Sequence, residues 1–415
     1  MQDVKKWDWT IGEKTIQLDE WKDAYAWVEE YQVSPDGEKV GAIVRIDEET
    51  SGISINGSLQ ESTFEKIWHL RFSPNGSAVA FAADMDEWTI VSDDVAWENT
   101  FDYVWNLLFS RDGNVTALAF QKEGEYGMAV NDEIWETTFE DISGMTLNPE
   151  GTTTAAVVQV NPFSEGEIDN YQSGIYTVCT NGVVWDGIYT NVWDIAVNGK
   201  GDVSAATIRN GLYDYTIAVN DKPWAHTYAC VWEPAINPVT GAITAPVKTK
   251  EGWTIFENDQ AIWDGRYKQL WNIQYGSDGK TIATIGAPKY GMWTAVVNDA
   301  PWKAMFDEYA GDLTMSPDGR KIALRGKNQG RWQMALNGAL HGPVVDRLWK
   351  PVFSGDGAHL AYKVELKNRY TLVIDGTLMK ESYDMVWDPI FSPCNGFVLL
   401  RAVKNGTYIR KVMPL

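Results

Sequence analysis

WNLLFSRDGNVTALAFQKEGEYGMAVNDEIWETTF, residues 105–139, decides the fold. Trp105 to Ser110 is a short apolar run, and the turn Ser110-Arg111-Asp112-Gly113 follows it. Val115 to Gln121 reads as a second strand and Tyr126 to Val130 as a third. The corner Asn131-Asp132 then leads into a fourth, expected over Ile134 to Phe139. Asp and Asn bond to their own backbone in turns, Gly accepts positive φ, and Asn-Asp between apolar runs favours a tight hairpin.

Both corners recur along the chain. The first returns as Ser34-Pro35-Asp36-Gly37, Ser73-Pro74-Asn75-Gly76, Asn148-Pro149-Glu150-Gly151, Ser316-Pro317-Asp318-Gly319 and Ser392-Pro393-Cys394-Asn395-Gly396, among others. The closing glycines lie 37 to 40 residues apart, except for a gap of 50 between Gly151 and Gly201. That gap predicts a surface insertion near 161–172, beginning Asn161-Pro162-Phe163-Ser164-Glu165-Gly166. The second corner recurs at Asn56-Gly57, Asp93-Asp94, Asn181-Gly182, Asn220-Asp221, Asn258-Asp259, Asn298-Asp299, Asn337-Gly338 and Asp375-Gly376.

Four short antiparallel strands in about forty residues make one blade of a β-propeller. The expected fold is all-β, with about ten four-stranded repeats in one continuous array over residues 1–415; two rings of about five blades are the alternative. Trp7 to Ile11 aligns with third strands, and a segment around Trp21 with fourth strands. Thr407 to Val412 aligns with third strands and has no fourth after it. The N-terminal segment is therefore expected to complete the last blade and remove an open edge. Asp19 to Glu30 has the strongest helical pattern but aligns better as a repeat copy.

All of the 21 tryptophans but Trp7 fall in register with this repeat. One column precedes the first corner: Trp27, Trp68, Trp105, Trp193, Trp232, Trp271, Trp349 and Trp387. A second follows the other corner: Trp21, Trp97, Trp135, Trp185, Trp224, Trp263 and Trp302. A third precedes that corner: Trp9, Trp88, Trp253, Trp293 and Trp332, with Tyr126, Tyr176, Tyr215, Tyr370 and Tyr408 in other copies. The bland reading is packing between blades, where each buried ring contributes roughly 1.5–3 kcal/mol. The sharper reading is an exposed aromatic rim that binds a protein, since Trp is enriched at interface hot spots.

A formal charge of −22 excludes nucleic acid and a bare anionic membrane as good partners. No stretch approaches eighteen apolar residues, so direct membrane insertion is not expected. Three separated cysteines (Cys179, Cys230 and Cys394), with no signal-peptide pattern at Met1 to Trp9, point to a reducing cytoplasm. None of His69, His226, His341 and His359 sits at metal-ligand spacing, although His226 and Cys230 are close. Neither a haem, iron–sulfur, phosphate-loop nor nucleophile-elbow motif occurs, so no cofactor, metal or catalytic residue is assigned. The 57 acidic residues read mostly as turn formers, leaving a hydrolytic propeller with paired axial carboxylates as the alternative function.

The Trp-rich repeats and Asn-Asp corners, with Trp7-Asp8-Trp9 and the run from Trp27-Val28-Glu29-Glu30 to Ser34-Pro35-Asp36-Gly37, carry a family likeness. Over its whole length the chain resembles the tryptophan-rich TmcD subunits of the Tmc transmembrane electron-transfer complex of sulfate-reducing bacteria. The resemblance implies a cofactor-free, non-catalytic, cytoplasmic scaffold. It would reach the membrane through partner subunits that carry the haems of a cytochrome and the iron–sulfur clusters.

Overall fold

In the computed structural model, which describes residues 4–163, 168–211 and 213–415, the corners fold as their chemistry requires. Gly113 has φ +78°, and Asn131 and Asp132 have φ +46° and +72°. Between them lie strands Tyr103–Phe109, Thr116–Lys122, Glu125–Val130 and Glu133–Ile134, paired in that order as one antiparallel sheet. Ten such sheets follow one another, numbered here as blades 1 to 10 in chain order. First strands of neighbouring blades touch, Ile142–Leu147 against Asn191–Val197 and Gln269–Tyr275 against Tyr309–Met315. First strands therefore surround the axis and fourth strands form the circumference.

Apolar cores lie between blades. Val79, Phe81 and Ile90 of blade 2 pack with Val104, Leu118 and Phe120 of blade 3. The middle strands carry alanines such as Ala117, Ala119 and Ala129, fully buried, which let flat sheets approach closely.

The ring closes through the N-terminal segment. Gly12–Gln17 pairs antiparallel with Thr407–Pro414, from Gly12 opposite Val412 to Gln17 opposite Thr407. Blade 10 then bonds to the first corner of blade 1. Arg401 donates to the Ser34 carbonyl at 2.9 Å, Tyr408 to that of Gly37 at 2.7 Å, and Arg410 to that of Asp36 at 2.8 Å. This seam joins the last blade to the first and gives one ten-bladed ring in place of two smaller ones.

Three local expectations are corrected. Trp7 to Ile11 forms no strand, and the segment around Trp21 is a helix, Asp19–Ala24, rather than a fourth strand; the closing strand lies just before it. Trp21 nevertheless packs where the second column does, 3.3 Å from a Cβ built on Gly57, as Trp302 packs at 3.4 Å from one on Gly338. In seven of the blades the fourth strand is shorter than expected, as in Glu133–Ile134 followed by the single bridge of Phe139 to Tyr126. The insertion carries a short helix, Ile168–Ser173, while Ser164, Glu165 and Gly166 lie outside the described residues.

Acidic corners prove to be more than turns. The first corner residue reaches back to its own blade, as Asn131 accepts the Thr116 N–H at 2.9 Å and Asn298 that of Ile282 at 2.8 Å. The second, where it is Asp, reaches the preceding blade. Asp132 accepts the N–H groups of Glu98 and Asn99 at 2.7 and 3.1 Å, and Asp94, Asp221, Asp259 and Asp299 repeat the pattern. Each carboxylate staples two blades at the circumference with charge-assisted bonds.

Tyr189, Tyr228 and Tyr267 join these staples, bonding to Asp221, Asp259 and Asp299 at 3.2, 2.6 and 2.9 Å. Burial, reinforced by those aspartates, pushes their phenols well above the ordinary tyrosine range; burial does the same to Tyr362, Tyr383 and Tyr408. A raised folded value means that their stabilisation is complete below the ordinary tyrosine value of about 10 and is lost as pH rises above it. In an alkaline titration, these six phenols are expected to stay silent in the near-ultraviolet phenolate signal until the protein unfolds. Smooth titration of every tyrosine near pH 10 in folded protein would contradict this.

Candidate functional site

The two faces of the ring differ in chemistry. Both corners turn on one face, here the lower. On the upper face first strands begin and second strands turn into third, so the first and third aromatic columns meet there. Their rings pack in pairs within a blade: Trp105 with Tyr126 at 6.0 Å, Trp193 with Tyr215 at 5.9 Å, and Trp349 with Tyr370 at 5.7 Å. Trp271 and Trp387 occupy the same level, half-buried.

The tryptophan columns differ in exposure. In the second column Trp135 and Trp263 are buried, and Trp97, Trp185, Trp224 and Trp302 half-buried. Trp135 donates its indole N–H to Thr154 Oγ1 of the next blade at 3.1 Å, so this column packs between blades. In the first column Trp27 is 54% exposed and Trp232 42%, with Trp68 and Trp193 also exposed. Tyr103, Tyr213, Tyr290 and Tyr309 add to the exposed aromatic surface of the same face.

Directly after the column tryptophan, first strands bulge. Register shifts after Trp68, Trp105, Trp193 and Trp271. The residue that absorbs each bulge is left-handed and polar: His69, Asn106, Asp194 and Asn272, with φ of +60°, +57°, +51° and +60°. Bulges re-aim side chains, and Asn and Asp tolerate this conformation best. A polar band thus lies below the aromatic rim. The recurrence of a polar residue after the column Trp was the sequence signal for it.

Two acids of this region depart from ordinary behaviour. Burial holds the Asp194 carboxyl above its usual range. Burial also raises Glu233, on the neighbouring blade, and the Asp194 charge raises it further. Glu233 accepts the backbone N–H of Asn272 at 2.5 Å. These acids stand apart from their counterparts in other copies, which the sequence alone did not distinguish.

Glu233 lines a cleft of about 1040 Å³ across blades 6 to 8. Its aromatic wall includes Trp232, Trp253, Trp271 and Trp293, with Tyr290 and Tyr309 also lining it. Trp232 lies parallel to the buried Trp253, centroids 5.5 Å apart and planes 3° apart. Blade 8 has Gly311 at the first-column position, opposite Arg325 as Trp271 is opposite Ile285. The column is interrupted there, and the Tyr309 ring lies over the glycine, its Oη 2.1 Å from a built Cβ.

Among the described residues no group of three or more His, Cys, Asp or Glu is placed to hold a metal ion. His226 pairs through Nδ1 with Asp259 at 2.8 Å. Burial pushes the Cys179 thiol up to about 12. No helix among the described residues is long and apolar enough to cross a membrane.

Neither a protein-family profile nor a curated protein matches the chain. Among solved structures it is similar to a crystal structure of the eukaryotic initiation factor, at 13% identity and a TM-score of 0.45, over 90% of this chain and 96% of that one. The Dos1 propeller is similar at 11% identity and a TM-score of 0.35, over 96% and 93% of the two chains. A prolyl endopeptidase is similar at 11% identity and a TM-score of 0.40, over 73% of this chain and 54% of that one.

Proposed function

We propose that this protein is a non-catalytic docking subunit that seats partner proteins on the upper face of its ring. The supporting observation is the exposed first-column tryptophans, Trp27, Trp68, Trp193 and Trp232, gathered on that face while the second column is spent on packing. Large rings held by a rigid scaffold make interface anchors at low entropic cost. The charge of −22 favours a partner with a basic docking surface. The likeness of the repeats to TmcD subunits names the setting: a membrane-associated redox complex linked to sulfate respiration, whose cytochrome and iron–sulfur subunits are the partners.

Capture of the tagged chain from detergent-solubilised membranes of its own source tests this. Haem and iron–sulfur absorbance is expected in the eluate, while the chain purified alone is colourless. An eluate without either chromophore would remove the redox-complex assignment. Trp27→Ser with Trp68→Ser is expected to weaken capture about a hundredfold or more, since anchors of this kind contribute about 2 kcal/mol each. Undiminished capture by that variant would move the docking site off this part of the rim.

A further inference from the structure

We infer that the cleft across blades 6 to 8 binds a neutral, hydroxyl-rich oligosaccharide, stacked on Trp232 and hydrogen-bonded along the polar band below it. This goes beyond the docking reading and does not depend on it.

The stacking platform is already in place. Trp253, itself buried, backs Trp232 ring against ring and restrains it, while Trp232 stays 42% exposed. An indole face is electron-rich and accepts the C–H edges of a sugar ring as it accepts the edges of another aromatic. At the next column position but one, Gly311 carries no side chain and the Tyr309 ring lies over it, and the cleft as a whole spans about 1040 Å³. Pockets for drug-sized ligands span roughly 300–1,000 Å³, so there is room here for several sugar units.

Charge selects against a cationic ligand. The lining carries Glu233, Glu308 and Asp312 with Lys248 and Lys268. Asp312 is paired with Arg325 at 2.6 Å and Glu308 with Lys327 at 2.8 Å, both partners outside the lining. What remains is one acid in a desolvated position and two lysines. Both lysines repel a cation, and a hydroxyl-rich ligand can accept from the lysines and donate to Glu233 at once. Glu233, Gln269, Asn272 and the lysines supply donors and acceptors together, as hydroxyls require because each hydroxyl does both.

Cello-, xylo-, malto-, manno- and chito-hexaoses, titrated into the full chain with tryptophan fluorescence and calorimetry as readouts, test the inference. At least one is expected to bind saturably. Trp232→Ala is expected to weaken that binding tenfold or more, and Trp232→Tyr, which keeps a ring, to restore most of it. Near-ultraviolet circular dichroism checks that both variants remain folded. Absence of saturable binding across the panel, binding unchanged in Trp232→Ala, or displacement of a bound sugar by tetramethylammonium or inorganic phosphate would each overturn it. Partner capture, read on Trp27 and Trp68, fails or succeeds separately from this result.

Discussion

Removal of residues 1–24 is expected to lower the melting temperature sharply and to drive the chain into oligomers. The deleted segment supplies the fourth strand of blade 10, Gly12–Gln17, and the helix that follows. Without the strand, Thr407–Pro414 becomes an unpaired edge, which recruits other chains. Without the helix, Leu18 and Trp21 leave a core they share with Val33 and Val40 of blade 1 and Val403 and Tyr408 of blade 10. Each of these two side chains stabilises by roughly 2 kcal/mol. Arg410, 2% exposed, also loses the Asp8 carbonyl, to which it donates at 2.5 Å. Together with the lost ladder bonds, of about 1 kcal/mol each, the expected destabilisation is on the order of 5 kcal/mol or more. Scanning calorimetry and size-exclusion chromatography read both effects. A monomer melting within a few degrees of the full-length protein would mean that the ring does not depend on this seam.

Much of this architecture was legible because turn chemistry is local. Gly113 and Asn131-Asp132 announce their backbone geometry in two to four residues, and ten repetitions fix the phase. What depended on a neighbouring blade was not legible. Gly113 reads as a turn residue, yet a Cβ there would lie 2.3 Å from the backbone nitrogen of Asn75 in the preceding blade. The fourth strand was overestimated for a related reason. The N–H groups after Trp97 are taken by Asp132 of the next blade, so the strand ladder breaks where a periodic pattern suggested it would run on. Trp21 matched its column in packing but not in backbone, because only the short helix Asp19–Ala24 returns the chain from the closing strand to blade 1.

The candidate site was legible in part. The columns are periodic in the sequence, but exposure varies within a column with what packs against each ring. Trp27 and Trp105 share the first column; one is 54% exposed and the other half-buried. Where the cleft crosses blade 8 the pattern departs, with Gly311 at a tryptophan position and the Tyr309 ring lying over it. Departures from a repeat therefore marked this site better than the repeat itself did.

The staples make the same point energetically. Asp299→Ala is expected to destabilise the protein by about 3 kcal/mol, a large effect for a residue in an outer turn. Its carboxylate accepts the N–H groups of Asp264 and Gly265 at 2.9 and 2.8 Å and the Tyr267 hydroxyl at 2.9 Å. Tyr267 is buried, so its hydroxyl loses a side-chain acceptor where water has little access. Alanine also fits the corner poorly, because position 299 has φ +65°. Asp299→Asn keeps one acceptor oxygen and tolerates that backbone, so it is expected to cost about half as much. The donors are neutral, so the loss should persist at high salt, unlike that of a surface ion pair. Denaturant unfolding gives the magnitude. Hydrogen exchange locates it, with faster exchange expected at Asp264 and Gly265 and little change across the ring. If Asp299→Ala unfolded at the native midpoint, the acidic corners would be turn formers and nothing more, and adhesion between blades would rest on their apolar faces alone.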